Sequence, residues 1–166
     1  MDAFVQPLYE LADFDAIIRQ LKKPGIVQVS GCLDSQKAHF TNGLLREFPF
    51  RLIVAENDLK AKAFYEDFRL YDPEVLYYPA RDLIFYQADI HGNLLTRQRI
   101  QVLRALLERE EVTIVTSIDS CLDCLVPLDV WREKVIKIRN DSEIDLDQMK
   151  RHLVELGYEW ATQVEV

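Results

Sequence analysis

Nothing in this chain approaches the ~20 consecutive apolar residues that span a bilayer; a typical apolar run, Thr113–Ile118, is far shorter. The opening residues Met1–Pro7 are acidic and lack the apolar core of a signal peptide, so a cytoplasmic protein with no membrane partner is expected. There are only three cysteines, Cys32, Cys121 and Cys124, and an odd number argues against a disulfide framework. Cys121 and Cys124 have C-x-x-C spacing, but no second pair completes a zinc site. Asp119 and Asp123 beside them disfavour a thiolate, so inert thiols, buried or half-buried, are expected. The three histidines are scattered at 39, 91 and 152, without ligand spacing, so no metal or cofactor is expected. Positive charge is scarce: 20 Lys and Arg against 28 Asp and Glu give a net charge of −8. DNA binding is dominated by neutralisation of phosphates by lysine and arginine, so the balance weighs against DNA binding by the chain as a whole.

Against these absences, 49% hydrophobic and 29% charged residues predict a packed core. The most informative stretch is Gly25–Phe40, an apolar run leading through a turn into a helix. A phosphate-binding loop has the form G-x-x-x-x-G-K-[ST]. Gly31 and Lys37 stand at the first glycine and the lysine, while Gln36 replaces the second glycine and Ala38 the hydroxyl. A side chain at 36 obstructs the backbone curl that aims N–H groups at a phosphate. Alanine at 38 cannot ligate Mg²⁺. Asp34 within the same loop would repel a phosphate. The loop is read as a degenerate phosphate site without catalysis, and the alternative is a nucleotide-dependent P-loop ATPase or helicase half-domain. A third reading is a strand–loop–helix junction matched by coincidence.

Along the chain, apolar positions at helical spacing predict a helix over Leu11–Lys23, ended by Pro24 and Gly25. Strands are predicted near Ile26–Ser30, Arg51–Ala55, Glu74–Tyr78 and Val112–Thr116, alternating with amphipathic helices. Ser35 is the expected cap of one helix, and Asn57 or Asp58 of the next. The alternation indicates an α/β fold, a parallel sheet with helices on both faces. Arg97, Arg99 and Arg104 read as a solvated helix face that could also touch phosphate or an acidic partner. After Pro127 the pattern changes: Lys134–Arg139 alternates like a half-exposed strand, and Asp145 opens a helix that Gly157 ends. The expected division is an α/β domain over 1–127 and the start of a small α+β domain over 128–166, incomplete at Val166.

Several segments, in order, carry a family likeness: Leu52–Ala61 (LIVAENDLKA), Phe64–Phe68 (FYEDF), Leu76–Asp82 (LYYPARD), Thr113–Ile118 (TIVTSI), Leu125–Pro127, Leu156–Tyr158 and Gln163–Glu165. Over roughly residues 25 to 166 the chain resembles the UvrB-like N-terminal region of the bacterial transcription-repair coupling factors, the Mfd family. That resemblance implies a RecA- or helicase-like domain that has lost nucleotide binding, followed by a small domain contacting the repair protein UvrA. It implies a non-catalytic module linking stalled RNA polymerase to nucleotide excision repair. Polymerase and DNA would be reached only through regions of the full-length protein absent from this chain, with the rest of that protein as a further partner. UvrB carries a long aromatic hairpin after its tyrosine-rich strand, whereas Leu83–Ala88 is too short to form one.

UvrB-like modules use a basic polar face for such contacts, and Lys137 and Arg139 are the residues available here, with Glu159 and Trp160 on the following segment. Lys137 and Arg139 either bind the partner or solubilise an edge strand. Trp160 is either an interaction anchor or packs on the helix that begins at Asp145.

Overall fold

The computed structural model describes residues 4–81, 89–136, 138, 140–141 and 143–161. The chain divides into two compact units, Met1–Leu125 and Val126–Val166.

The first unit is built on three parallel strands, β1 (Phe50–Ala55), β2 (Leu76–Tyr78) and β3 (Val112–Ser117), in the order β1-β3-β2. β3 sits at the centre and is buried at every position, which explains its unbroken β-branched composition. Its register fixes Leu52 opposite Ile114 and Ile53 opposite Val115, and Tyr77 opposite Val115 from the other side. Side chains alternate across the sheet, so the two faces build two cores. On one face Val115 and Tyr77 pack with Ala61 and Phe68 of α3 (Asp58–Phe68) and with Ala38 of α2 (Asp34–Leu45). On the other, Val112, Ile114 and Tyr78 pack with Val102 and Ala105 of α4 (Asp89–Glu108). A third cluster joins Val5, Leu8, Phe14 and Ile18, the last two from α1 (Phe14–Leu21), to Phe40 and Leu44 of α2. The first unit is thus the predicted α/β layering, with a parallel sheet and helices on both faces.

Local signals place the elements. The Asn57 side chain caps α3 by accepting the Lys60 N–H at 2.9 Å. The short α5 (Ile118–Cys121) follows β3 directly, with Ser117 accepting the Ser120 N–H at 3.3 Å.

Ile26–Ser30, expected as a strand, belongs to no helix or sheet, and Ile26 is 96% exposed. An apolar run supplies the pattern of a strand, but a strand also needs a paired neighbour, and this segment pairs with neither edge of the β1-β3-β2 sheet. The next helix starts at Asp34 after Leu33, so Ser35 lies inside the first turn and is not its cap. α1 is shorter than the apolar spacing suggested, starting at Phe14.

In the second unit, α6 (Leu128–Lys134) and α7 (Leu146–Glu155) have no buried residue. Asp145 caps α7 by accepting the N–H groups of Asp147 and Gln148 at 2.9 and 3.2 Å. Gly157, with φ of +90°, ends it in a conformation that favours glycine. The strand expected over Lys134–Arg139 is corrected at its start: Lys134 closes α6, because Leu128–Lys134 continues a helical turn hydrogen-bonded from Val135 back to Trp131. Residues 137, 139 and 162–166 lie outside the described residues.

Candidate functional site

The loop singled out by its Gly31–Lys37 spacing leads into α2, and three of its side chains are engaged within the protein. Gln36 turns back so that its Oε1 accepts the Leu33 backbone N–H at 3.2 Å. That N–H is among those a phosphate at the helix start would take. Lys37 Nζ lies 2.6 Å from Asp34 Oδ1, one turn apart on an exposed surface. The hydrogen bond between them holds the Asp34 carboxyl below its ordinary value and the Lys37 ammonium above its own. Ala38, at the hydroxyl position, is 2% exposed and packs into the α3-side core. Only Gly31, with φ of +90°, keeps the backbone behaviour of a phosphate loop. The four positions are adjacent in space, but each of the three side chains serves α2 rather than an open ligand site.

Parallel sheets bind ligands at the carboxyl ends of their strands. That edge carries a polar tie among three loops. Asp58 Oδ1 accepts the Ala80 N–H at 3.1 Å and the Ser117 hydroxyl at 3.4 Å, joining the ends of β1, β2 and β3. Thr116 donates to the Tyr78 carbonyl at 2.8 Å. Tyr77 donates to the Asp58 carbonyl at 3.4 Å, and its phenol is pushed up by burial and then by Asp58. Tyr78 is pushed up mainly by burial.

Arg99 departs from the solvated helix face expected of it. Its guanidinium is buried, donates to the Pro79 carbonyl at 2.7 Å and pairs with Asp123 at 2.8 Å. It also lies over the Tyr78 ring, 4.2 Å from the centroid. Arg81 approaches the same Asp123 carboxylate at 3.7 Å. Arg97 and Arg104 remain exposed. Cys121 and Cys124, expected to be buried or half-buried, are both exposed; only Cys32 is half-buried. α5 ends at Cys121, and Cys124 follows it beyond the helix.

At the opposite, amino end of the strands lies a cleft of about 710 Å³ that the sequence did not reveal, lined chiefly by charged side chains. Arg51 is its hub: Nε donates to the Phe48 carbonyl at 2.6 Å and Nη1 to Thr113 Oγ1 at 3.2 Å. Thr113 donates in turn to Asp72 at 2.7 Å, and Arg109 pairs with Glu74 at 3.1 Å. A signal for this network was absent because its members come from four separate segments. Among the described residues no group of three or more His, Cys, Asp or Glu could hold a metal ion, and no helix is long and apolar enough to cross a membrane.

Of the partner-binding candidates, Glu159 is exposed and Trp160 is 75% exposed. Lys150 of α7 lies over the Trp160 ring, 5.5 Å from its centroid. Lys137 and Arg139 lie outside the described residues, as does the aromatic segment 83–88.

No family model matches the chain. It is 28% identical over 169 residues to the transcription-repair-coupling factor of Bacillus subtilis, covering 99% of this chain and 14% of that protein. It is 29% identical over 143 residues to the UvrABC system protein B of Treponema denticola, covering 86% of this chain and 20% of that protein. It is 33% identical over 129 residues to the corresponding protein of Anaplasma phagocytophilum, covering 69% of this chain and 20% of that protein. The chain therefore spans a fifth or less of the length of these relatives.

Proposed function

We propose that this chain, whose homologues over most of its length are transcription-repair-coupling factors and UvrB proteins, is a UvrB-like module acting in DNA repair without catalysis of its own. In this reading it belongs to a longer coupling factor and docks UvrA, so that excision repair is brought to a stalled polymerase. The observation that carries the non-catalytic half is the state of the phosphate loop. Gln36 occupies the Leu33 N–H, Lys37 is paired to Asp34, and the Ala38 methyl is packed into the core. A nucleotide would have to displace the first two and would find no hydroxyl for its magnesium at the third. The partner half rests on the kinship of the chain and on the second unit, whose two helices contain no buried residue.

Two measurements on the same protein test the two halves. Calorimetric titration with ATP and Mg²⁺ is expected to show no heat of binding; a micromolar association would return the chain to the ATPase reading. Capture of purified UvrA on the immobilised chain, beside a longer chain that extends past Val166, is expected to succeed with at least the longer one. Failure of both would end the UvrA reading.

A further inference from the structure

The exposed thiols of Cys121 and Cys124 are used by nothing described so far. Cys121 closes α5, and the turn continues beyond it through hydrogen bonds from Leu122 N–H to the Asp119 carbonyl and from Asp123 N–H to the Ser120 carbonyl, at 3.3 and 3.4 Å. Leu122 keeps right-handed helical dihedrals, φ −79° and ψ −12°. Residues three apart around a helical turn have Cβ atoms about 5–6 Å apart. A small adjustment past the helix end brings such a pair to the ~3.8 Å of a disulfide.

Of the two residues between them, Asp123 is held in place. Asp123 is held by buried Arg99 at 2.8 Å and approached by Arg81 at 3.7 Å, so the turn is anchored to α4 and to the loop after β2. The same two guanidinium groups offset the Asp123 charge that, in the sequence, counted against thiolate chemistry beside it. Both thiols face solvent, and Leu122 between them is 77% exposed, so a small disulfide can reach either sulfur.

We propose that Cys121 and Cys124 form a redox-active pair that closes reversibly to an intramolecular disulfide, with a low-molecular-weight disulfide of the glutathione class as oxidant. One cysteine thiolate attacks glutathione disulfide, forming a protein–glutathione mixed disulfide and releasing one glutathione thiolate. The second cysteine, as thiolate, then attacks the protein sulfur of that mixed disulfide, forming the Cys121–Cys124 bond and expelling a second glutathione. Two protein thiols are oxidised and one glutathione disulfide is reduced to two glutathiones, so electrons and protons balance. Closure makes a small ring around Leu122 and Asp123, beside the Arg99 guanidinium that also holds the Pro79 carbonyl.

The test uses the full chain carrying Cys32→Ser, which leaves the pair as the only thiols. It is equilibrated in glutathione buffers of rising disulfide content, acid-quenched, alkylated and weighed intact. The expected product is a monomer two hydrogens lighter that takes up no alkylating agent. It should exceed glutathione adducts by about tenfold, because the second thiol acts at a high effective concentration. Adding Cys124→Ser should convert that product wholly into a single glutathione adduct. Adducts at both cysteines with no closed form, disulfide only between molecules, or no reaction would each overturn the proposal.

Discussion

Gln36 and Leu33 close the start of α2 on themselves: the Gln36 side-chain oxygen accepts the Leu33 backbone N–H at 3.2 Å. The residue that replaces the second glycine of a phosphate loop therefore caps a helix. Restoring the hydroxyl two positions on should not restore a site. Ala38→Ser places a hydroxyl into a position 2% exposed among apolar side chains. An unsatisfied buried polar group costs about 1–3 kcal/mol. Urea denaturation should show a loss in that range, and calorimetry should still detect no ATP binding. Binding by the Ala38→Ser protein would mean that the loop is poised for phosphate despite Gln36.

Asp58 ties together the ends of all three strands through the Ala80 N–H and the Ser117 hydroxyl. Asp58→Ala leaves the N–H without its acceptor and removes a first-turn carboxylate from α3. The expected loss is about 1–3 kcal/mol by urea denaturation. Asp58→Asn keeps an acceptor oxygen and should recover most of it. Equal losses for the two variants would place the effect in charge rather than in the hydrogen bonds.

Gly43 lies in α2, where alanine would gain up to about 1 kcal/mol in helix propensity. A Cβ there would collide with Leu8 and stand 2.9 Å from Phe14 Cζ. Forcing atoms into a packed core costs about 1–3 kcal/mol. The clash wins, so Gly43→Ala should destabilise the protein, and Gly43→Ala combined with Leu8→Ala should recover part of the loss by making room. A stabilised single variant would show that the N-terminal cluster yields freely.

Burial raises the Tyr77 phenol above its ordinary 10.0 in the folded protein. The unfolded chain therefore releases this proton first as pH climbs. The contribution to stability is full below the unfolded value, falls once pH passes it and is lost through the folded value. Tyr78 is shifted in the same direction. Tyr77→Phe should therefore flatten the alkaline fall in unfolding free energy above pH 10.0 while changing stability little at neutral pH. An alkaline limb identical in both proteins would place the titration elsewhere.

Much of the first unit was legible in the sequence. β1 and β3 were read within a residue or two because apolar runs bounded by polar caps carry that information locally, and Asn57 and Asp145 did cap their helices. The failures share a physical cause. Ile26–Ser30 has the composition of a strand, but a strand exists only where an edge accepts it. Arg99 read as one charge on a helix face, whereas its burial depends on Asp123, brought to it by the fold. The Arg51 cleft joins residues as far apart in sequence as Arg51 and Thr113, a pairing no local window contains. Gln36 as a cap was hidden because a leucine, which lacks the usual side-chain acceptor, precedes the helix.

Trp160 offers the sharpest test of the partner reading. It is 75% exposed, with the Lys150 ammonium over its ring and its neighbour Tyr158 65% exposed. A tryptophan left in solvent beside a cation gives a partner a large apolar surface with a charge at its edge. Truncation of such an anchor costs about 2 kcal/mol or more at a hot spot, whereas a residue at the rim costs little. Trp160→Ala should therefore weaken UvrA capture by about thirtyfold if Trp160 is central to the contact. The urea midpoint of the first unit should not move, since no packed core in that unit includes this residue. Lys150→Glu should weaken capture as well if the cation helps to orient the ring. Capture unchanged in Trp160→Ala would remove this residue from the contact, and the search would move to Lys137 and Arg139 by charge reversal.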